Sequence, residues 1–243
     1  MREYNYKKVL GFHIFNGTSQ QLVSYIDSHL GESHKPLCFF YANSNLMQHC
    51  YRKSELFDAP DILFANDGIA LDLAAKYVTG EKFKENLNGT DFSPFLLQHS
   101  SSIKKIFLLG GGSGIAEAAA AKLSMIPNVE IAGFADGFSD LSNKDELIKK
   151  INFCKPDMLF VALGNPKQEY WLLENRHLLD VKIVSGVGAL FDFLSGNVKR
   201  APNWIQKLRC EWLYRLIGEP RRLLRRYSIE MFYFFYLVYK NHK

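Results

Sequence analysis

The chain of 243 residues, 47% hydrophobic and 23% charged, has the balance of a globular protein with a sizeable core, which excludes general disorder. Its net charge of +5 is unevenly held: from residue 196 onward eleven Lys/Arg stand against three Glu, leaving 19 positive and 22 negative side chains before it. An acidic body over 1–196 and a basic, aromatic appendage over 197–243 are two objects, and the second seeks an anionic partner.

Cys38, Cys50, Cys154 and Cys210 are widely spaced with no CxxC pair, so they read as reduced thiols rather than a disulfide framework or a zinc site. The opening "MREYNYKKVLGF" lacks the apolar core of a signal peptide, and no stretch reaches the ~18 apolar residues needed to span a bilayer.

In chain order, "KVLGFHIF" is strand-like, and "TSQQLVSYIDSHL" is a helix capped by Thr18 with Leu22, Tyr25 and Ile26 inward. "PLCFFYANS" is a strand, "NLMQHCYRKSELFDA" is helical, "DILFAND" is a strand, and a helix runs from Ile69 to Val78. Then come the strand "KKIFLLGGG", the helix "IAEAAAAKLSM" and the strand "VEIAGFADG". They are followed by the helix "DELIKKINFC", the strand "PDMLFVALGNP", the helix "QEYWLLENRHLL" and "VKIVSGVGALFDFLSG", a strand running into a turn and helix. Strands separated by helices predict βαβ units: an α/β, Rossmann-like, mostly parallel sheet flanked by helices, with a basic aromatic helical C-terminal appendage.

Ligands of open α/β sheets bind beyond the carboxyl ends of the strands. Four strand ends here carry polar or glycine-rich runs: "YANSN", "ANDG", "LGGGSG" and "LGNPKQE". Asp67 in "DILFANDGIALDLAA" is either a helix cap in an Asn-Asp-Gly turn or a carboxylate placed for chemistry. The turn holding Gly110, Gly111, Gly112 and Gly114 presents backbone N–H groups suited to a diphosphate, or is a structural tight turn. Neither register fits GxGxxG, since Ile115 or Glu117 takes the third glycine's place, and GK[ST] is absent. In "VALGNPKQEYW", Asn165, Lys167, Gln168 and Glu169 supply donors, acceptors and charge, although Glu169 is also where a helix dipole favours an acid. HExxH, GxSxG and DxD are missing, and His13, His49 and His177 read as surface or satisfied core residues, so neither a metal nor a cofactor is expected.

Together "VLGFHIFNGTSQQLVSYI", "YANSNLM", "FANDGIALDLAAKYVTG", "NLNGTDF", "LLGGGSGIAEAAAAKL", "VALGNPKQEYW" and the long "GVGALFDFLSGNVKRAPNWIQKLRCEWLYRLIGEPRRLLRRY" resemble the WecG/TagA/CpsF glycosyltransferases, in order and from about Lys8 to Tyr227. The resemblance implies inverting transfer of a sugar, typically N-acetylmannosamine or a relative, from a UDP donor to a polyprenyl-diphosphate-linked acceptor. It further implies no obligatory metal and peripheral attachment to the cytoplasmic face of the membrane. Asp67 matches the family's proposed base, Asn43 and Gln168 its pocket amides, and Arg215, Arg222 and Arg225 the arginines that meet the diphosphates. Arg222 joins Asp67 in the catalytic set, and the C-terminal segment closes over the pocket. Tyr41 and Asn86 depart from the usual Thr and Arg, which bears on the identity of the donor.

That chemistry suits the residues. Attack by an acceptor hydroxyl needs a base, and a departing diphosphate needs N–H dipoles and arginines where no metal clamp exists. In the tail, Ile205, Leu208, Trp212 and Leu216 recur at helical spacing beside Lys207, Arg209 and Arg215, and "YSIEMFYFFYLVYK" suits an anionic membrane interface. A helix pair docked on the body is the alternative. A nucleotide-dependent oxidoreductase or a non-catalytic membrane-binding module are the rival functions. No nucleic-acid partner is expected, and self-association stays open.

Overall fold

The computed structural model describes residues 5–30, 35–137, 140–202, 205 and 211–242, except for the side chains at 140 and 222. Eight strands form one sheet: β1 (Tyr6–Val9), β2 (Phe12–Phe15), β3 (Leu37–Ala42), β4 (Ile62–Asn66), β5 (Lys105–Gly110), β6 (Glu130–Ala135), β7 (Met158–Ala162) and β8 (Ile183–Gly186). Their order is β1-β2-β4-β3-β8-β7-β5-β6, with β1 antiparallel to β2 and the other neighbouring pairs parallel.

Strands covered on both faces read as unbroken apolar runs, and β3 shows why. Cys38, Phe40 and Ala42 enter one core layer, while Phe39 and Tyr41 enter the other. The first layer is closed by α2 (Ser44–Cys50), α3 (Ile69–Thr79), α6 (Lys144–Cys154) and α7 (Lys167–Asn175). The second is closed by α1 (Ser19–His29), α4 (Gly89–His99), α5 (Ile115–Leu123) and α8 (Leu190–Leu194). After the neighbouring strands β3 and β8 the chain therefore leaves to opposite faces, which opens a crevice at their carboxyl ends.

Two elements differ from the sequence reading. "KVLGFHIF" is a hairpin rather than one strand: Leu10 and Gly11 turn the chain with φ of 47° and 87°. Both central positions of such a two-residue turn need positive φ, and a leucine gives no hint of that. The helix α4 carries a proline, Pro94, within it, and its start is fixed by Asn88, whose Oδ1 accepts from the Asp91 N–H at 3.1 Å.

The appendage continues as α9 (Glu211–Gly218), α10 (Pro220–Tyr227) and α11 (Ile229–His242). Phe234, Leu237 and Val238 of α11 are buried, Phe234 and Val238 in the first core layer, while Phe232 and Tyr236 on the same helix stay exposed. Of the expected apolar stripe, Leu208 with Lys207 and Arg209 lies outside the described residues; Trp212 is exposed and Leu216 half-buried. Among the described residues no helix is long and apolar enough to cross a membrane.

Candidate active site

Asp67 follows β4 directly. Its N–H donates to the Ala42 carbonyl at 2.8 Å, so the ladder with β3 carries its half-buried side chain to the sheet's edge. It does not cap α3: Gly68 is the N-cap residue, at φ 97° and without a side-chain bond. The Gly68 N–H instead donates to Asn86 Oδ1 at 3.0 Å, which pins the peptide beside the carboxylate. Asn86, a departure from the family pattern, thus has a local task of its own.

The capping role belongs to Asn43, one strand over. Its Oδ1 accepts from the Leu46 N–H at 3.0 Å, starting α2 and leaving its amide nitrogen to face the crevice. Asn43 Nδ2 donates to Asp67 Oδ2 and to Asn165 Oδ1, each at 3.4 Å. Gln168 is held at both ends of its amide: Oε1 accepts from the N–H groups of Gly164 and Gly188, both at 3.1 Å, joining the turns after β7 and β8. Its Nε2 donates to Glu169 Oε1 at 2.8 Å, and Asn165 Nδ2 donates to the same oxygen at 2.5 Å. Glu169 has no exposed surface, and burial pushes its carboxyl up to about 7 against those two donors. Tyr41, the other departure, lies beneath, its hydroxyl 2.8 Å from Ser93 Oγ and its titration pushed upward by burial.

Over this floor lies a cleft of about 940 Å³ that Asn43, Asp67, Asn165 and Gln168 line from below and Trp212, Arg215 and Arg226 from above. Burial raises the Asp67 carboxyl above its ordinary range; the Asn43 hydrogen bond and the charges of Arg226 and Arg215 oppose that, and Glu211 adds to it. Arg215 stacks over Phe193 with its guanidinium carbon 5.3 Å from the ring centroid. Its Nε is buried without a hydrogen-bond partner among the described residues.

Arg226 went unselected in the sequence, although buried Leu223 three residues earlier marks its side of α10 as the inward one. Arg225 points elsewhere: its side chain is 80% exposed, with Nε 3.4 Å from Glu230 Oε1. The Arg222 side chain lies outside the described ones. The glycine turn sits one strand beyond the cleft and contributes none of its lining. The Gly111 N–H is spent on the Ala162 carbonyl at 3.1 Å, and a Cβ on Gly110 would fall 2.5 Å from that oxygen. Gly112 and Gly114 face open space. Among the described residues no cluster of His, Cys, Asp and Glu could hold a metal ion.

Residues 7–243 match the glycosyl transferase WecG/TagA/CpsF family. The chain belongs to this family. It is 32% identical over 218 residues to the N-acetylglucosaminyldiphosphoundecaprenol N-acetyl-beta-D-mannosaminyltransferase of Bacillus subtilis (strain 168), covering 88% of this chain and 84% of that protein. The enzyme of the same name from Bacillus spizizenii is 38% identical over 165 residues, 67% of this chain and 63% of the relative. That of Staphylococcus aureus (strain MRSA252) is 37% identical over 130 residues, 53% and 50% of the two chains. As a WecG/TagA/CpsF glycosyl transferase the protein is an enzyme, which sets aside both the oxidoreductase and the non-catalytic module.

Proposed function

We propose that the chain moves N-acetylmannosamine, or a related hexosamine, from a UDP-sugar to an N-acetylglucosaminyl-diphosphate lipid or a similar polyprenyl-diphosphate-linked acceptor, with inversion at the anomeric carbon. The reading rests on Asp67, a carboxylate at a strand end that faces a large cleft, caps nothing and lies under two arginines. In the step, the acceptor hydroxyl oxygen bonds to the anomeric carbon as its proton passes to Asp67. The bond to the donor's phosphate oxygen breaks, and UDP departs with the electron pair. A carboxyl held above its ordinary range is a stronger base than a free aspartate. Arg215 and Arg226, with Arg222 of the same appendage, supply the positive charge that a leaving diphosphate needs, while Arg225 stays paired with Glu230 outside the cleft. Asn43, Asn165 and Gln168 frame the donor, and the glycine turn after β5 lies one strand beyond it.

The acceptor's lipid calls for a membrane surface, which we assign to the cytoplasmic face. Ile217, Leu224, Ile229 and Phe232 are exposed on the appendage near Arg221 and Arg225, an apolar and basic face suited to anionic lipid. Residues 197–243 thus act as a membrane-associating unit placed over a catalytic body of 1–196. The test is incubation with a panel of UDP-sugars and a short-chain polyprenyl-diphosphate N-acetylglucosamine acceptor, the product's anomeric configuration being read by NMR. Transfer with a configuration opposite to the donor's is expected. Retained configuration would overturn the single-base reading, and absence of transfer across all UDP donors would overturn the proposal.

A further inference from the structure

We propose that Glu169 is a positioning residue: its buried carboxylate sets the amide orientation of Asn165 and, through Asn165 and Asn43, the direction in which Asp67 is held. The inference rests on the reading of Asp67 as the base. A side-chain amide can turn by 180° and exchange its NH₂ and oxygen with almost no change of shape, so its neighbours decide which way it faces. For Asn165 those neighbours are Glu169 Oε1, which accepts from Nδ2 at 2.5 Å, and Asn43 Nδ2, which donates to Oδ1 at 3.4 Å. Were Asn165 turned over, two NH₂ groups would meet at Asn43. Asn43 could not turn in response, because its own oxygen is fixed by the Leu46 N–H at the start of α2. Its second hydrogen reaches Asp67 Oδ2 at 3.4 Å, and there the chain of bonds ends.

Glu169 stands at the other end of that chain. Gln168, whose oxygen is taken by two backbone N–H groups, also directs its NH₂ to Glu169 Oε1, so one oxygen orders two amides. Glu169 is wholly buried and absent from the cleft lining, so it acts through its neighbours rather than on substrate. Its Oε2 is buried without a hydrogen-bond partner among the described residues. A carboxyl so placed is costly where an apolar side chain would fill the volume, and such costs are kept where a site requires them.

The experiment compares Glu169→Leu, Glu169→Gln, Asn165→Ala and the Glu169→Leu/Asn165→Ala double variant with UDP-N-acetylmannosamine and the short-chain acceptor, alongside Asp67→Asn. Glu169→Leu should lower kcat by roughly 10–100-fold with donor KM within about twofold, because a misaligned base costs turnover rather than binding. Glu169→Gln can still offer one oxygen to both amides and should restore kcat to within about threefold of wild type. The double variant should be no slower than Asn165→Ala alone, since the path is already cut. If Glu169→Leu does not fold, the Gln variant and Asn165→Ala carry the test: Asn165→Ala, at a residue that also lines the cleft, should lose at least as much kcat, while Glu169→Gln keeps both kcat and donor KM near wild type. Wild-type kcat in Glu169→Leu, multiplying losses in the double variant, or Glu169→Gln as slow as Glu169→Leu would overturn the positioning role while Asp67→Asn stays inactive. Full turnover by Asp67→Asn would overturn the base assignment and this inference with it.

Discussion

In the floor of the cleft, Asn43 and Asp67 each follow a strand directly and Asn165 stands in the turn after β7, and hydrogen bonds to backbone, to Glu169 or to one another hold them. The roof hangs on α9 and α10, tied to the body among the described residues by polar contacts and a buried leucine. Arg200 links Asp91 of α4 (2.6 Å) to Glu211 (3.2 Å). Glu230 accepts from Asn45 at 3.2 Å and Gln48 at 3.4 Å while holding Arg225, and Leu223 is buried. The contrast separates two tasks. On the proposed reading, a base needs a fixed direction, which strand ends give, whereas charge over a diphosphate is carried on helices held to the body by polar tethers.

The contrast breaks first at the arginines. Arg226→Ala should lower kcat by ~10²–10³, the range for removing one preorganised group from developing negative charge. Arg225→Ala should stay within a few-fold of wild type, and equal losses would place both guanidinia in the cleft. Steady-state kinetics over pH sharpens the point. Because burial raises the Asp67 carboxyl, the acid limb of kcat/KM should lie above the ordinary aspartate range, near 4. Losing Arg226, which opposes burial there, should move the limb higher still. A limb in the ordinary range would mean that a solvated group titrates.

The floor is probed at Asn43, where two roles meet. Asn43→Ala should slow turnover by roughly 2–10-fold through the lost bond to Asp67 and lower the melting temperature by removing the cap of α2, about 1 kcal/mol. Asn43→Ser keeps a capping oxygen but cannot reach Asp67, so it should recover stability without rate. Joint recovery of both would put the bond to Asp67 outside the mechanism.

A pH-dependent stability effect belongs to Glu169. With its folded value near 7 and its ordinary value 4.5, the folded state holds a proton that the unfolded state gives up between those limits. Wild-type stability should therefore fall as pH rises from about 4.5 to 7, and the neutral Glu169→Gln should lose that slope, gaining up to about 3 kcal/mol on wild type at pH 8 relative to pH 5. Parallel melting curves for the two proteins would place the carboxyl in solvent. The smallest effect is expected at the tether. Glu230→Gln removes a partly exposed ion pair worth ~0–1 kcal/mol and should raise acceptor KM about two- to threefold, leaving kcat nearly unchanged. A fall in kcat alone would tie the tether to the floor.

The sheet was legible because its strands are apolar runs separated by amphipathic helices, and the polar strand ends pointed to Asn43, Asp67 and Gln168. The hairpin escaped notice because Leu10 occupies a left-handed turn position that usually advertises itself with Asn or Gly. The helix α4 was hidden by Pro94 inside it. Glu169 reads in the sequence either as charge for the site or as a dipole-favoured acid, since nothing local tells a buried first-turn carboxylate from an exposed one. Arg226 was one position from an arginine chosen by likeness, and only the burial of Leu223 settles which side of α10 turns inward.

The account turns on whether Asp67 serves chemistry or the backbone, and single-turnover transfer by Asp67→Asn measures that directly, read with its UDP affinity and melting temperature. Asparagine keeps the size and the turn but cannot take the proton, so transfer should fall by ~10²–10⁴ while UDP affinity and melting temperature stay near wild type. Transfer at the wild-type rate, with or without a lower melting temperature, would contradict the assignment and return Asp67 to a structural role.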